Sequence, residues 1–357
     1  MNPNDTKNIN IGDNAGRERN TFKKTIPVFR QTSKRRFFSP KAVFIMLGFL
    51  SAVILFFLFR LNYTFSVISA DRGGYSHLIA KYQPVIEDDY KEKNRLDILL
   101  LGIRGEEDPN GGLLTDTMMI LSYNTKDHTA SIISIPRDLY IQLPGIKKDK
   151  INAAYIHGEE LQKGFGLQLA KMTVGYVLGV DIDYAILADF SAFQKLIDTV
   201  GGVDIYTQKS FTETEQWQGM TISYEKGWHH LTGEDALYYS RARFMSSDFE
   251  RAKRQQEVVL ALKDKLMSLG VATNPFKIND ILNLVENNVK MDLDRSTIFE
   301  IASATKTLGG DKNIKRAVLE NGENGMLYHA TINGAYVLLP KGDSYQAIRD
   351  FSRNILN

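Results

Sequence analysis

The chain has 357 residues, 43% of them hydrophobic, which is enough to bury a sizeable core and too much for a chain disordered throughout. A formal net charge of +2 at pH 7 gives no global case for nucleic-acid binding, and no nucleic-acid partner is expected. The absence of cysteine excludes thiol nucleophiles and cysteine zinc sites and fits an exported domain that does not rely on disulfides.

Residues 1–41 read as a basic, disordered tail, rich in Lys and Arg and without apolar periodicity. The run Ala42–Phe59 is uncharged, with Ser51 its one polar side chain; Lys34, Arg35, Arg36 and Lys41 precede it and Arg60 closes it. That length nearly spans a bilayer core, so 42–60 is expected to be a transmembrane helix rather than a cleaved signal peptide. The basic excess before it sets the tail in the cytoplasm and the bulk of the chain outside. The expected location is the cell membrane, single-pass, with the lipid bilayer as the helix's partner. Residues 61–94, interrupted by Arg72-Gly-Gly74, Pro84 and a charged run, read as an extracytoplasmic stalk, and 95–357 as the folded domain.

Within that domain Leu96–Gly102 reads as a buried strand, followed by a polar loop, Arg104–Gly112. Strands Thr117–Tyr123 and Ala130–Ile135, joined by a turn at Asn124–His128, form a predicted hairpin. A helix at Gly166–Leu178, a strand at Tyr184–Leu187 and a helix at Phe190–Val200 come next. Gly201-Gly202 stops that helix before a strand at Val203–Tyr206. A helix runs from Asp248 to residue 267, with amphipathic stretches at Ile278–Asn287 and Thr297–Leu308, a strand at Ala335–Leu339 and a last helix at Tyr345–Leu356. The alternation predicts an α/β domain with helices on both faces of a mixed sheet.

At 100° per residue, Asp248, Arg251, Arg254 and Gln255 share an arc of roughly 140° with Val258, Val259, Leu262 and Leu266. Glu250, Lys253, Glu257 and Asp264 lie opposite. Arginines that point toward a core need a partner, either internal carboxylates or a bound anion. Arg137 leaves the chain just after Pro136, with Asp138 beside it. Arg241 and Arg243, two apart on an extended segment, are expected to project to one face, as a fork for two phosphates does. Asp116, at the edge of a predicted strand, suits either a loop cap or a Mg²⁺ shared with phosphate oxygens. The six histidines lack a metal-ligand spacing, and His229-His230 reads as a turn beside Gly227. Nucleophile-elbow, P-loop and dinucleotide motifs are absent from the sequence.

One succession of motifs is specific. Leu96-Asp-Ile-Leu-Leu-Leu-Gly102, Asp116-Thr-Met-Met119, Ser134-Ile-Pro-Arg-Asp138, Lys150-Ile-Asn-Ala-Ala-Tyr155, Asp189-Phe190, Val200-Gly-Gly-Val203, Leu231-Thr-Gly-Glu234, Tyr239-Ser-Arg-Ala-Arg243 and Asp248–Gln255 occur in order. Together they resemble the LytR-CpsA-Psr family. The resemblance implies an αβα sandwich with a mixed central sheet and an apolar lipid pocket. It also implies a Mg²⁺-dependent phosphotransferase that moves a glycopolymer from a polyprenyl-pyrophosphate carrier to a peptidoglycan sugar hydroxyl.

By position, Asp116 would face the metal, with Glu106 or Asp108 as a second carboxylate. Arg137, Arg241, Arg243, Arg251 and Gln255, with Arg254 on the same helix arc, would face the pyrophosphate. Asp116, Arg137, Asp248 and Arg251 would carry the chemistry. Two positions depart from the family pattern. In Gly102-Ile-Arg-Gly-Glu106, Arg104 and Glu106 exchange the usual order of charges, and Leu114 stands where Arg is common. Arg104 would then compensate as a phosphate contact. A non-catalytic, regulatory binder of polyprenyl phosphate or wall polymer is the alternative.

Overall fold

The computed structural model describes residues 77–78, 81, 94–105, 112–214, 220–243, 245–270, 281, 283, 289–293, 297–298, 301 and 313–356. The tail 1–41, the expected helix 42–60, most of the stalk and both Glu106 and Asp108 lie outside the described residues. So does most of the two amphipathic stretches between 278 and 308. Among the described residues no helix is long and apolar enough to cross a membrane.

The strands, in chain order, are β1 (Arg95–Gly102), β2 (Thr117–Asn124), β3 (Thr129–Ser134), β4 (Tyr140–Gln142), β5 (Lys148–Lys150), β6 (Tyr184–Ala188) and β7 (Val203–Thr207). There follow β8 (Phe211–Glu213), β9 (Ile222–Tyr224), β10 (Gly227–Leu231), β11 (Val289–Met291), β12 (Ile314–Val318), β13 (Leu327–Ile332) and β14 (Ala335–Pro340). The α-helices described in full are α1 (Ala154–Leu161), α2 (Gly166–Leu178), α3 (Phe190–Thr199), α4 (Gly233–Arg241), α5 (Asp248–Ser268) and α6 (Gln346–Leu356).

The six-stranded sheet has the order β11-β6-β1-β2-β3-β12. It is mixed, as expected: β1 runs antiparallel to β2 and parallel to β6, and β3 runs parallel to β12. Period-two alternation assigns its two faces. Leu99 and Leu101, Met118 and Ile120, and Ile133 point to one side, packed with Ala154 and Tyr155 of α1, Leu167, Val174 and Val177 of α2 and Ile348 of α6. Leu100, Met119, Leu121 and Ile132 point to the other side, against Val259 and Leu260 of α5. Helices therefore cover both faces, an αβα arrangement.

α1 and α2 are set close by Gly158 and Gly166: a Cβ on Gly158 would stand 2.6 Å from the Gly166 Cα. Glu159 accepts hydrogen bonds from the backbone N–H groups of Gly164 and Gly166 at 3.0 and 3.2 Å, satisfying donors at the start of α2. Thr232 and Asp235 form a capping box at the start of α4, and Ser247 caps α5. Two expectations are corrected. His229-His230 is no turn but part of β10, which pairs with β7 after the positive φ of Gly227. The segment carrying Arg241 and Arg243 is not extended: Arg241 is the last residue of α4, and Ala242 is its C-cap.

Candidate active site

The β1–β2 ladder pairs Gly102 with Thr117, and the chain just beyond it on each strand meets two cavities. The first is a polar cleft of about 570 Å³ lined by Arg104, Asp116, Arg137, Asp138, Lys150 and Asn152 among others. The second is an apolar cavity of about 170 Å³, walled by Met119, Ile186, Phe190, Phe193, Leu237 and Val259 and also touching Gly102 and Thr117. The step from Asp116 to Thr117 thus leads from a charged wall to a greasy one.

The cleft is built round Asp116. Arg137 Nη1 donates to its Oδ1 at 2.5 Å, Arg104 Nε to its Oδ2 at 3.3 Å, and Arg251 Nη2 to its backbone carbonyl at 3.1 Å. Arg251, near the start of α5, also pairs with Asp248 at 3.0 Å, and Arg137 and Arg243 each lie 4.0 Å from Asp248. Asp138 is drawn to Lys150, 2.6 Å away, and stands 3.7 Å from Arg137. Five cationic side chains therefore face three carboxylates across this network.

The electrostatics report the same imbalance. Burial alone would raise the Asp116 carboxyl, but Arg137, Arg251 and Arg104 outweigh it and hold it below the usual carboxylate range. Burial pushes the Arg251 guanidinium down to about 10; Asp248 and Asp116 oppose this, while Arg137 and Arg243 add to it. Burial also acts to lower Arg137, but Asp116, Asp248 and Asp138 hold it above its ordinary value. The Nε groups of Arg137 and Arg251 are buried without a hydrogen-bond acceptor. Arg137 Nε still faces Asp138 and Asp248 at 3.7 and 4.0 Å, and the surplus of cations over carboxylates in the cleft is what a multivalent anion neutralises.

The other expected site residues divide. Arg241 and Gln255 stand on the wall of the apolar cavity, Arg241 with its guanidinium 4.5 Å from the centre of the Phe190 ring. Arg243 does not line that cavity; its guanidinium lies 4.0 Å from Asp248, and its backbone N–H is bonded to the buried Glu213 at 2.9 Å. Arg254 donates to the carbonyls of Tyr239 and Ala242 and to Ser246 Oγ. It neutralises the C-terminal end of α4 instead of joining the cluster round Asp116. Lys150 and Asn152 line the cleft although they were not expected as site residues; the motif Lys150–Tyr155 was their signal. Gln256 carried no signal, yet it is buried, and its Nε2 donates to Ser134 Oγ and to the Ala317 carbonyl, both at 2.8 Å.

Among the described residues no three acidic or histidine side chains are grouped to hold a metal ion. Asp116 alone fits Mg²⁺ in the mode that takes one carboxylate and completes its shell with substrate phosphate oxygens. Its Oδ2, with the longer 3.3 Å contact to Arg104, is the less firmly engaged oxygen.

The mixed α/β sheet thus carries a cationic cleft and, from the next residue along the chain, an apolar cavity. The LytR_cpsA_psr family model matches residues 65–353, and the chain belongs to that family. It is 33% identical to the polyisoprenyl-teichoic acid–peptidoglycan teichoic acid transferase TagT of Bacillus subtilis (strain 168) over 226 residues, 60% of this chain and 66% of that protein. It is 28% identical to the regulatory protein MsrR of Staphylococcus aureus (strain COL) over 264 residues, 73% of this chain and 75% of that protein. Among solved structures, TagT bound to LIIa-WTA superposes with a TM-score of 0.58 at 25% identity, covering 81% of this chain and 99% of that one.

Proposed function

We propose that this protein is a cell-wall glycopolymer transferase that moves a polymer from a polyprenyl-pyrophosphate carrier to a sugar hydroxyl of peptidoglycan. One observation carries it: two consecutive residues, Asp116 and Thr117, line the cationic cleft and the apolar cavity respectively. A pyrophosphate in the cleft with its isoprenoid tail in the cavity satisfies both. TagT, whose name assigns it teichoic acid transfer to peptidoglycan, supports the same class of reaction.

The acceptor hydroxyl oxygen attacks the phosphorus that bears the glycan. The bond from that phosphorus to the bridging oxygen breaks, and polyprenyl phosphate leaves with the bridging oxygen. Arg137 and Arg251, members of a cluster with more cations than carboxylates, stabilise charge on the pyrophosphate. Asp116 stays ionised and holds Arg104 and Arg137 in place, and Asp248 takes the proton that the hydroxyl gives up as the new P–O bond forms. Asp116 is the residue that would hold a Mg²⁺, which would supply further charge neutralisation on the phosphates. A membrane anchor at 42–60 would keep the site near its lipid-borne donor.

Full-length chain in detergent, assayed with lipid-linked glycan and peptidoglycan, tests this. Arg137→Ala should lower turnover about 100-fold or more, as removal of a preorganised charge-stabilising donor does. Val259→Trp should fill the cavity, abolish the polyprenyl phosphate recovered in an organic extract and leave the arginines intact. Parent-like turnover in Arg137→Ala, together with parent-like lipid content in Val259→Trp, would sink the proposal.

A further inference from the structure

The hairpin β13–β14, near the C-terminus, docks onto the active-site loop. The Leu338 N–H donates to the Asp138 carbonyl at 2.9 Å, and Leu338 forms a β-bridge with Leu139. The register pairs Thr331 with Tyr336 and His329 with Leu338, so these four side chains share one face of the hairpin. Leu338 on that face is 2% exposed and sits in the main core. Two residues earlier on the same face, about 7 Å along the strand, Tyr336 has left the core and is 48% exposed. Its ring stacks on His329, centroids 6.3 Å apart and planes 12° from parallel.

Tyr336 is two residues from Leu338, whose backbone bonds to Asp138, and it lies within electrostatic reach of the cleft's carboxylates. Partial burial and the Asp138 and Asp248 carboxylates push its hydroxyl up from the ordinary phenol value. An exposed, nearly parallel aromatic pair is of no use to the phosphates or to a tail seated in the cavity. A pyranose ring is different: one face presents C–H groups that lie against an aromatic plane, and its hydroxyls find carboxylate acceptors at the edge. Thr117 of the cavity wall follows Asp116 of the cluster, whereas the hairpin bearing the aromatic pair docks on Asp138, which Arg137 links to Asp248, the carboxylate assigned to the acceptor's proton.

We infer that Tyr336 and His329 form a shelf that stacks a pyranose ring of the acceptor saccharide and presents its hydroxyl beside Asp248. This rests on the transferase proposal above. It adds a specificity-determining position that the arginine cluster alone does not supply.

The test uses full-length chain in detergent, lipid-linked glycan as donor and soluble peptidoglycan oligosaccharides as acceptor. Tyr336→Ala should raise the acceptor KM about tenfold, the size of one lost aromatic stack, with kcat and donor KM within about twofold of the parent. Tyr336→Phe, which keeps the ring and loses the hydroxyl, should behave like the parent. His329→Ala serves as the second variant should Tyr336→Ala fold poorly, and a smaller rise in the same KM is expected of it.

An unchanged acceptor KM overturns the inference. So does a rise in donor KM alone, which would place the donor's sugar on the shelf, or a Phe variant as impaired as the Ala variant. Saturation-transfer NMR of the same oligosaccharides, without donor, separates the two proposals. Binding that weakens in Tyr336→Ala although the parent transfers nothing keeps the shelf and removes the transferase.

Discussion

Arg104 and Arg137 reach the Asp116 carboxylate, and Arg251 reaches its carbonyl. Asp116→Asn leaves these guanidinium groups facing one another across a site whose carboxylate side chain is 20% exposed. The expected cost is about 2 kcal/mol, below that of a fully buried broken pair because the cleft is open to water. Inorganic pyrophosphate should restore part of the lost thermal stability, and transfer should fall at least about 100-fold. The pH dependence has a definite sign. The folded-state carboxyl lies below its ordinary 3.8, so its stabilisation is fully present above that pH and fades as pH falls through the lower folded value. Thermal melts taken from pH 7 to pH 3 should show a shallower acid loss in Asp116→Asn than in the parent; equal slopes would count against the pairing. At this scale sequence and structure part company over Arg251 and Arg254. Helical periodicity correctly turns both inward, and both are buried. Periodicity does not say what waits there, and one arginine meets Asp116 while the other meets the carbonyl end of α4.

Elements with a long apolar repeat were legible before any coordinates: α2 begins and ends where its pattern does, and β1, β2 and β6 match to within a residue or so. Two other elements were not. α1 carries a weakly amphipathic sequence with a glycine in it, and β12 is a sheet edge with Lys315 and Arg316 exposed, so both owe their form to tertiary neighbours. α1 is the clearer case, because its place depends on a glycine–glycine approach. Gly158→Ala would drive a methyl group into the backbone of Gly166 and the carbonyl of Phe165, atoms that no rotamer change relieves. We expect a loss of about 3 kcal/mol and, since α1 follows Asn152 and Ala153 of the cleft wall, a fall in activity at permissive temperature. A Gly158→Ala protein that melts with the parent would show that the two helices separate more easily than their contact implies.

For the molecule as a whole, we propose that the tail lies inside and the folded domain outside, on the basis of the uncharged run Ala42–Phe59 and the basic residues ahead of it. Alkaline phosphatase fused after Asn357 should be active, and a cytoplasm-dependent reporter at the same point silent; the reverse pattern would contradict the proposal. The architecture also has a temporal side. β1, whose Leu100, Leu101 and Gly102 line the apolar cavity, leaves the ribosome early, whereas its sheet acquires β12 late, and the hairpin that bonds to Asp138 and the helix α6 that packs on α2 come last. A growing chain therefore carries its arginines long before it has a finished vessel to put them in. Shortening the chain by its final helix and hairpin should therefore inactivate it, not merely trim it, and a nascent chain should gain transfer activity only after the last helix is released.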